Sequence, residues 1–321
     1  TLKLYNNSNI SKSKSCCAGK DIEDAKNVAQ KYNFQHIVLD YQEKFFDGVI
    51  NNFVDSYSIG ETPLPCVKCN QTVKFTDLLN ESKNLKADAL VTGHYAIRKG
   101  GLNKSKLFKA KDKKKDQSYF LFATLQDQLD YVRFPLGNYL KSEIRKMAKD
   151  YNLIVSDKPD SQDICFVTSN SYRDLINKVN PDINKEGNIF DINGNKIGKH
   201  KGISNYTVGQ RKGIGVGGQN KPLYVKEVNK NQNYIVLAEY ESLQQNKIFF
   251  KNINLLEDGI KNTQLECSAK IRSTQSEIPG ILNIVKNTGY FLFNESISAT
   301  SPGQACVFYK NDQVLGGGWI T

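Results

Sequence analysis

The sequence predicts an α/β domain on a parallel sheet, then a small β-rich domain, then a C-terminal β-barrel. Three observations carry this expectation. As far as about residue 170, apolar residues at helical spacing alternate with short apolar runs. Beyond Arg173 the texture changes to short alternating runs punctuated by Asn and Gly. A length of 321 residues with 39% hydrophobic composition can bury two or three cores rather than one. The domain boundaries expected are 1–170, 171–240 and 241–321.

The elements follow in order. Leu2 and Leu4 alternate as in a strand. Ile22, Ala25, Val28 and Ala29 recur at helical spacing, His36 to Asp40 is a short strand-like run, and Phe45, Val49 and Phe53 return to helical spacing. After the Cys66/Cys69 pair, Val73 to Lys86 reads as helical, the helix opening at Asn70 and Gln71 just after Cys69, and Ala89 to Tyr95 reads as a buried strand ending in a loop. Strands alternating with helices imply a parallel sheet whose ligands lie beyond the strand carboxyl ends, which puts Gly93 and His94 at that edge. Helices are expected from Asp116 to Leu129, with Asp116 as N-cap, and from Ser142 to Tyr151. Tyr224 to Val228 and Tyr234 to Leu237 begin β structure that runs to Trp319.

No run approaches the roughly 20 apolar residues that span a bilayer, which argues against a membrane protein. The chain begins at Thr1, so targeting signals are not readable from it. Seven cysteines thinly spread over the chain argue against a secreted disulfide framework and for a reducing compartment, with the cytoplasm as default. The formal charge of +11 invites a polyanionic partner, although 38 of the 44 basic residues are Lys and such charge is often only a solvated surface. Lys109, Lys111, Lys113, Lys114 and Lys115 concentrate the charge just before Asp116, so this basic loop is held against a folded body.

The chemistry is carried by two cysteine segments, Pro65 to Phe75 and Asp160 to Phe166. Cys69 just ahead of a helix would face free backbone N–H groups that favour a thiolate, with Lys68 and Lys74 adding to the effect. Zinc is disfavoured, because Cys66/Cys69 has no second matching pair and the chain has three histidines, His36, His94 and His200. Asp160 and Asp163 beside Cys165 disfavour a thiolate there, and a Cys between Ile and Phe is commonly a small buried hydrophobe. Cys267 and Cys306 are read that way. Tyr206 to Gly215 combines Arg211 and Lys212 with glycines, which suits an anion as well as a tight turn, but lacks the helix-borne Lys-Ser/Thr of a P-loop.

Pro63 to Phe75, Thr92 to Tyr95, Lys115 to Leu121, Phe134 to Gly137, Asp163 to Phe166, Tyr206 to Gly215, Ser301 to Gln304 and Leu315 to Gly318 together closely resemble the tRNA-specific 2-thiouridylases over nearly the whole chain. The resemblance implies an adenine nucleotide hydrolase-like, Rossmann-like first domain and ATP-dependent sulfur insertion, with Mg2+, at C2 of the wobble uridine of tRNA. It implies that Cys165 carries a persulfide received from a sulfur-relay or desulfurase donor protein. Cys69 would resolve it, leaving a disulfide that a thiol reductant reopens. It places Leu2 and Gly93 beside the nucleotide. Leu64, Pro65 and Cys66 would surround the flipped base, and His94, Lys115, Asp116, Gln117, Arg272, Ser273 and Gln304 would contact tRNA. The family's Ser-Gly-Gly-x-Asp-Ser nucleotide loop does not occur between Thr1 and Thr321 and is expected upstream. Cys66 stands where many members carry Asp, which leaves open an iron–sulfur enzyme using Cys66, Cys69 and Cys165, and the missing loop leaves open a non-catalytic tRNA-binding remnant.

Overall fold

The computed structural model describes residues 1–5, 19–101, 103–160, 164–167, 171–218, 221–260, 264–298 and 300–321; Cys16, Cys17 and Asp163 lie outside them. The chain forms two compact units. One comprises Thr1–Asn51, Pro65–Ser118 and Gln126–Leu175, the other Asn52–Leu64, Tyr119–Leu125 and Ile176–Thr321.

In the first unit, strand β1 (Leu2–Lys3) pairs parallel with β2 (Leu39–Asp40), and β3 (Leu90–Val91) pairs parallel with a later strand, β6 (Val132–Arg133). Between these, β4 (Ile97–Lys99) and β5 (Lys106–Phe108) form a hairpin. Parallel pairing is as expected, but each parallel strand is only two residues long. The expected burial of the run ending at Tyr95 fails too, since Val91 is 61% exposed, and burial begins only at Tyr95 and Ala96. Ile37 and Val38 are likewise exposed.

The helix Lys20–Lys31 turns its Ile22, Ala25, Val28 and Ala29 face inward, with Ala29 fully covered. Phe45, Val49 and Phe53 lie on one continuous helix, Gln42–Phe45, Phe46–Asn51 and Asn52–Ser58, whose middle stretch is wound as a π-helix. All three side chains are buried, as their spacing of four predicts. The next helix starts earlier than expected. It runs through Pro65–Cys69, a π-helical Asn70–Leu78 and Leu79–Asn84, because Pro65, whose fixed φ suits a first helical position, opens it.

The single helix expected over residues 116–129 is instead a 3₁₀ turn, Ser118–Leu121, and a short helix, Gln126–Tyr131. The cause is tertiary. Asn254 donates its side-chain amide to the carbonyls of Phe122 and Thr124 at 2.7 and 2.9 Å, taking acceptors a continuous helix would use. Asp116 keeps a capping role, accepting the Ser118 backbone N–H at 3.2 Å and its hydroxyl at 2.8 Å. The following helix, Lys141–Asp150, lies within a residue of its expected place, and Glu143 caps it by accepting the Leu140 N–H at 2.6 Å.

The second unit is mainly β structure. Strands β7 (Gly187–Phe190), β8 (Lys196–His200), β9 (Tyr224–Asn229) and β10 (Tyr234–Ala238) form a sheet ordered β8-β7-β10-β9 over a core of Ile189, Val225, Ile235 and Leu237. Strands β11 (Gln244–Leu255), β12 (Gln264–Lys270), β13 (Ile278–Val285), β14 (Thr288–Ser298), β15 (Ala305–Lys310) and β16 (Gln313–Ile320) follow the order β11-β14-β13-β12-β15-β16. Antiparallel pairing of β16 with β11 closes the barrel and removes its free edges. Phe250, Leu282, Phe291 and Phe308 fill it. Gly317 is needed here, because a Cβ would lie 2.6 Å from the ring of Phe122, which packs edge-on to Trp319.

Candidate functional site

The first unit carries most of the candidate residues. Starting the helix at Pro65 puts Cys66 in its first turn, where backbone N–H groups are free, and Cys69 a turn further in. The dipole argument therefore applies to Cys66 and not, as expected from sequence, to Cys69. Cys66 is exposed and Cys69 is buried. The surrounding protein pushes both thiols up, while the Lys74 ammonium draws both back. Cys69 thus rests as a neutral thiol.

Lys74 acts on a third group, His94. This imidazole sits in the loop after β3, between the rings of Phe75 and Phe134, each 6.0 Å away, and its Nδ1 shares a 2.8 Å hydrogen bond with Thr92 Oγ1. Burial first, and Lys74 second, bring its pKa down to about 3. His94 is neutral in the folded state and protonated in the unfolded one below about pH 6.5, so stability falls as pH drops through that window toward 3. A His94→Gln variant is expected to lose this slope of about 1.4 kcal/mol per pH unit. Urea midpoints of both proteins between about pH 6 and pH 4 check it; parallel curves would refute it.

Gln117 holds the same loop. Its side-chain oxygen accepts the Tyr95 N–H at 2.9 Å and its own N–H donates to the Tyr95 carbonyl at 2.8 Å. Gly93 is exposed at the carboxyl end of β3, and Leu2 lies in β1.

The Cys165 thiol is exposed, so this residue is not the small buried hydrophobe its neighbours suggest. Tyr5 donates its hydroxyl to the Cys165 carbonyl at 2.7 Å, and Phe166 is buried edge-on to Phe45 at 5.6 Å. Asp160 does not act on this thiol as an unscreened charge. Its carboxylate accepts Lys115 at 2.8 Å, Lys141 at 3.3 Å and Arg145 at 3.5 Å, and the hydrogen bond from Lys115 leads in holding its pKa at about 2. Sequence reading missed Lys141, Arg145 and Tyr5; the i, i+4 spacing of the two bases was the signal for that pair.

In the second unit lie Leu64, Arg272, Ser273 and Gln304. Arg272 and Ser273 are exposed in the turn between β12 and β13, while Gln304 donates its amide to the Thr62 carbonyl at 3.0 Å. Cys267 is half-buried and Cys306 buried. Among the described residues no group of three or more His, Cys, Asp and Glu side chains could hold a metal ion, so Cys66, Cys69 and Cys165 are not gathered as a cluster-binding set. Among them, too, no helix is long and apolar enough to cross a membrane.

Family models match successive parts of the chain: a tRNA methyl transferase HUP domain over residues 1–169, a tRNA methyl transferase PRC-barrel domain over 174–239, and an aminomethyltransferase beta-barrel domain over 245–320. The chain is 48% identical over 324 residues to the tRNA-specific 2-thiouridylase MnmA of Rickettsia massiliae, covering all of this chain and 88% of the relative. The proteins of that name from Rickettsia prowazekii and Ehrlichia ruminantium are also each 48% identical, with all of this chain and 90% and 87% of those relatives covered.

Proposed function

Because the chain belongs to the tRNA-specific 2-thiouridylase family, we propose that it replaces the C2 oxygen of the tRNA wobble uridine with sulfur, using the Cys69 and Cys165 thiols. The observation that carries the assignment of thiols is their contrast within one unit: Cys165 exposed and fixed by its backbone, Cys69 buried and neutral. An exposed thiol suits loading by another protein; a shielded one suits a later, intramolecular step.

ATP supplies the adenylyl group that makes the C2 oxygen of uracil a leaving group, and Gly93, exposed beyond the carboxyl end of β3, and Leu2 would border it, with Mg2+. Cys165 accepts sulfur from a donor protein as a persulfide. Its terminal sulfur bonds to C2 as the C2–O bond breaks, and Cys69 then attacks the inner sulfur. The S–S bond breaks, the base keeps the terminal sulfur, and a Cys69–Cys165 disulfide remains, which a dithiol reduces by two electrons. Leu64, Pro65 and Cys66 border the extruded base. His94, Lys115, Asp116, Gln117, Arg272, Ser273 and Gln304 serve tRNA, some by shaping loops, as the Tyr95–Gln117 pair does. The thinly spread cysteines support a reducing compartment, the cytoplasm, for this reaction.

The test is to incubate the protein with tRNA, ATP and a persulfide donor and to digest the RNA for nucleoside mass spectrometry. ATP-dependent 2-thiouridine is expected; tRNA binding without any 2-thiouridine would sink the reading.

A further inference from the structure

The winding of the helix after Cys69 sets where the Lys74 side chain stands. A π-helix bonds each backbone N–H to the carbonyl five residues back, and Asn70–Leu78 is wound that way. The Leu79 N–H reaches the Lys74 carbonyl, and Thr76 donates its hydroxyl to the Gln71 carbonyl at 2.7 Å, again five residues away. Lys74 therefore stands one turn above Cys69 on the same side of the helix. At the α-helical spacing, five residues would have turned it about 140° away. Cys66 lies three residues before Cys69, so the three side chains form a column of exposed Cys66, buried Cys69 and half-buried Lys74. From the next residue along, the Phe75 ring meets His94 at 6.0 Å. Burial first, and Lys74 second, keep that imidazole neutral, so it adds no charge of its own. The nearest acid along the helix, Asp77, pairs with Lys44 at 3.7 Å, and among the described residues Lys74 has no ion-pair partner. Burial is the first influence on the Cys66 and Cys69 thiols and raises both; Lys74 is the second, and it favours their thiolates.

We propose that Lys74 is a positioning residue for Cys69, stationed by the π-helical turn so that its ammonium stabilises the Cys69 thiolate as this sulfur attacks the inner sulfur of the Cys165 persulfide. This rests on the sulfur-transfer reading above. In that step the Cys69–Cys165 S–S bond forms and the bond from Cys165 Sγ to the transferred sulfur breaks. Its electron pair leaves on the sulfur attached to C2. The proton lost by Cys69 goes to solvent, and one is regained from solvent at N3 of the base, which closes the balance at 2-thiouridine. Burial keeps Cys69 unreactive at rest, and a cation built into the same helix makes its anion easier to form without opening the site.

Lys74→Gln tests this, with Lys74→Arg as the charge-preserving variant and Lys83→Gln, from the exposed end of the same helix, as the control. Iodoacetamide alkylation without RNA at about pH 8, resolved at Cys66 and at Cys69 by peptide mass spectrometry, is expected to slow about fivefold at both thiols in Lys74→Gln. Lys74→Arg should recover most of that loss, and Lys83→Gln should match the wild type. A side chain that merely packs the helix gives the opposite sign, because loosening uncovers Cys69 and speeds its alkylation. In a single turnover of persulfide-loaded protein with tRNA and ATP, 2-thiouridine is expected to form about fivefold more slowly in Lys74→Gln. Alkylation in Lys74→Gln at or above the wild-type rate overturns the proposal, as does an equal loss in Lys74→Arg. Slowed alkylation with unslowed thiolation overturns the role in the attack. A wild-type protein that makes no 2-thiouridine defeats the functional reading and the role in the attack with it, while the RNA-free rates still decide whether Lys74 activates the thiols.

Discussion

Cys165→Ser is expected to abolish 2-thiouridine formation, by more than about a thousandfold, while leaving the unfolding midpoint and tRNA affinity close to those of the wild type. The thiol is exposed, so its replacement opens no cavity, and the fixed parts of the segment are the Cys165 carbonyl and the Phe166 ring. A hydroxyl cannot carry a transferable sulfane sulfur, so nothing reaches C2. Cys69→Ser should block turnover at a different point. Its Cys165 should still accept one sulfur from the donor, visible as a persulfide by mass spectrometry of the intact protein, and that persulfide should persist. Wild-type rates in Cys165→Ser would move the sulfur carrier elsewhere, with exposed Cys66 the next thiol to test.

Gly137→Ala is expected to cost more than about 3 kcal/mol and to weaken tRNA binding as well. A Cβ at this position would lie 1.9 Å from the carbonyl oxygen of Ala96 and 2.4 Å from its carbon. Both are backbone atoms, so no rotamer change relieves the clash. Neither strand of chain is free to retreat: the Gly137 carbonyl accepts the Lys111 N–H at 2.9 Å, and Tyr95, next to Ala96, is held by Gln117 on both its N–H and carbonyl. Displacing either side moves the start of the basic loop or the loop bearing His94. Urea unfolding of the variant checks it, and a loss within about 0.5 kcal/mol would show that the chain yields more readily than its hydrogen bonds imply.

Much of this fold was legible because it depends on local periodicity. Phe45, Val49 and Phe53 repeat every four residues and all are buried, and the alternation in β13 and β14 reads directly as barrel interior and exterior. What was misread depends on distant partners. The break after Leu121 is enforced by Asn254, more than a hundred residues away. The parallel strands are too short for a pattern, since Leu2 pairs with Leu39 and Leu90 with Val132. At the site, the cysteine segments stand out by residue type, but the placing of Cys69 inside a helix turns on Pro65, a weaker local signal than the polar Asn70 and Gln71 that follow. The i, i+4 spacing of Lys141 and Arg145 puts those two bases on one helix face, but their convergence with Lys115 on Asp160 is not legible, since charge spacing along a chain does not say which loop folds onto which helix.

The seclusion of Cys69 has a consequence for timing. Two thiols that can pair are liable to close on each other whenever an oxidant passes, and a loaded persulfide is liable to be discharged by its own partner before any substrate arrives. A neutral, covered thiol attacks slowly in both cases, because the thiolate is the nucleophile and little of it is present. The sulfur placed on Cys165 can therefore wait. Its shelf life is set by how seldom the helix carrying Cys69 exposes that side chain, and waste of donated sulfur is limited by packing rather than by speed.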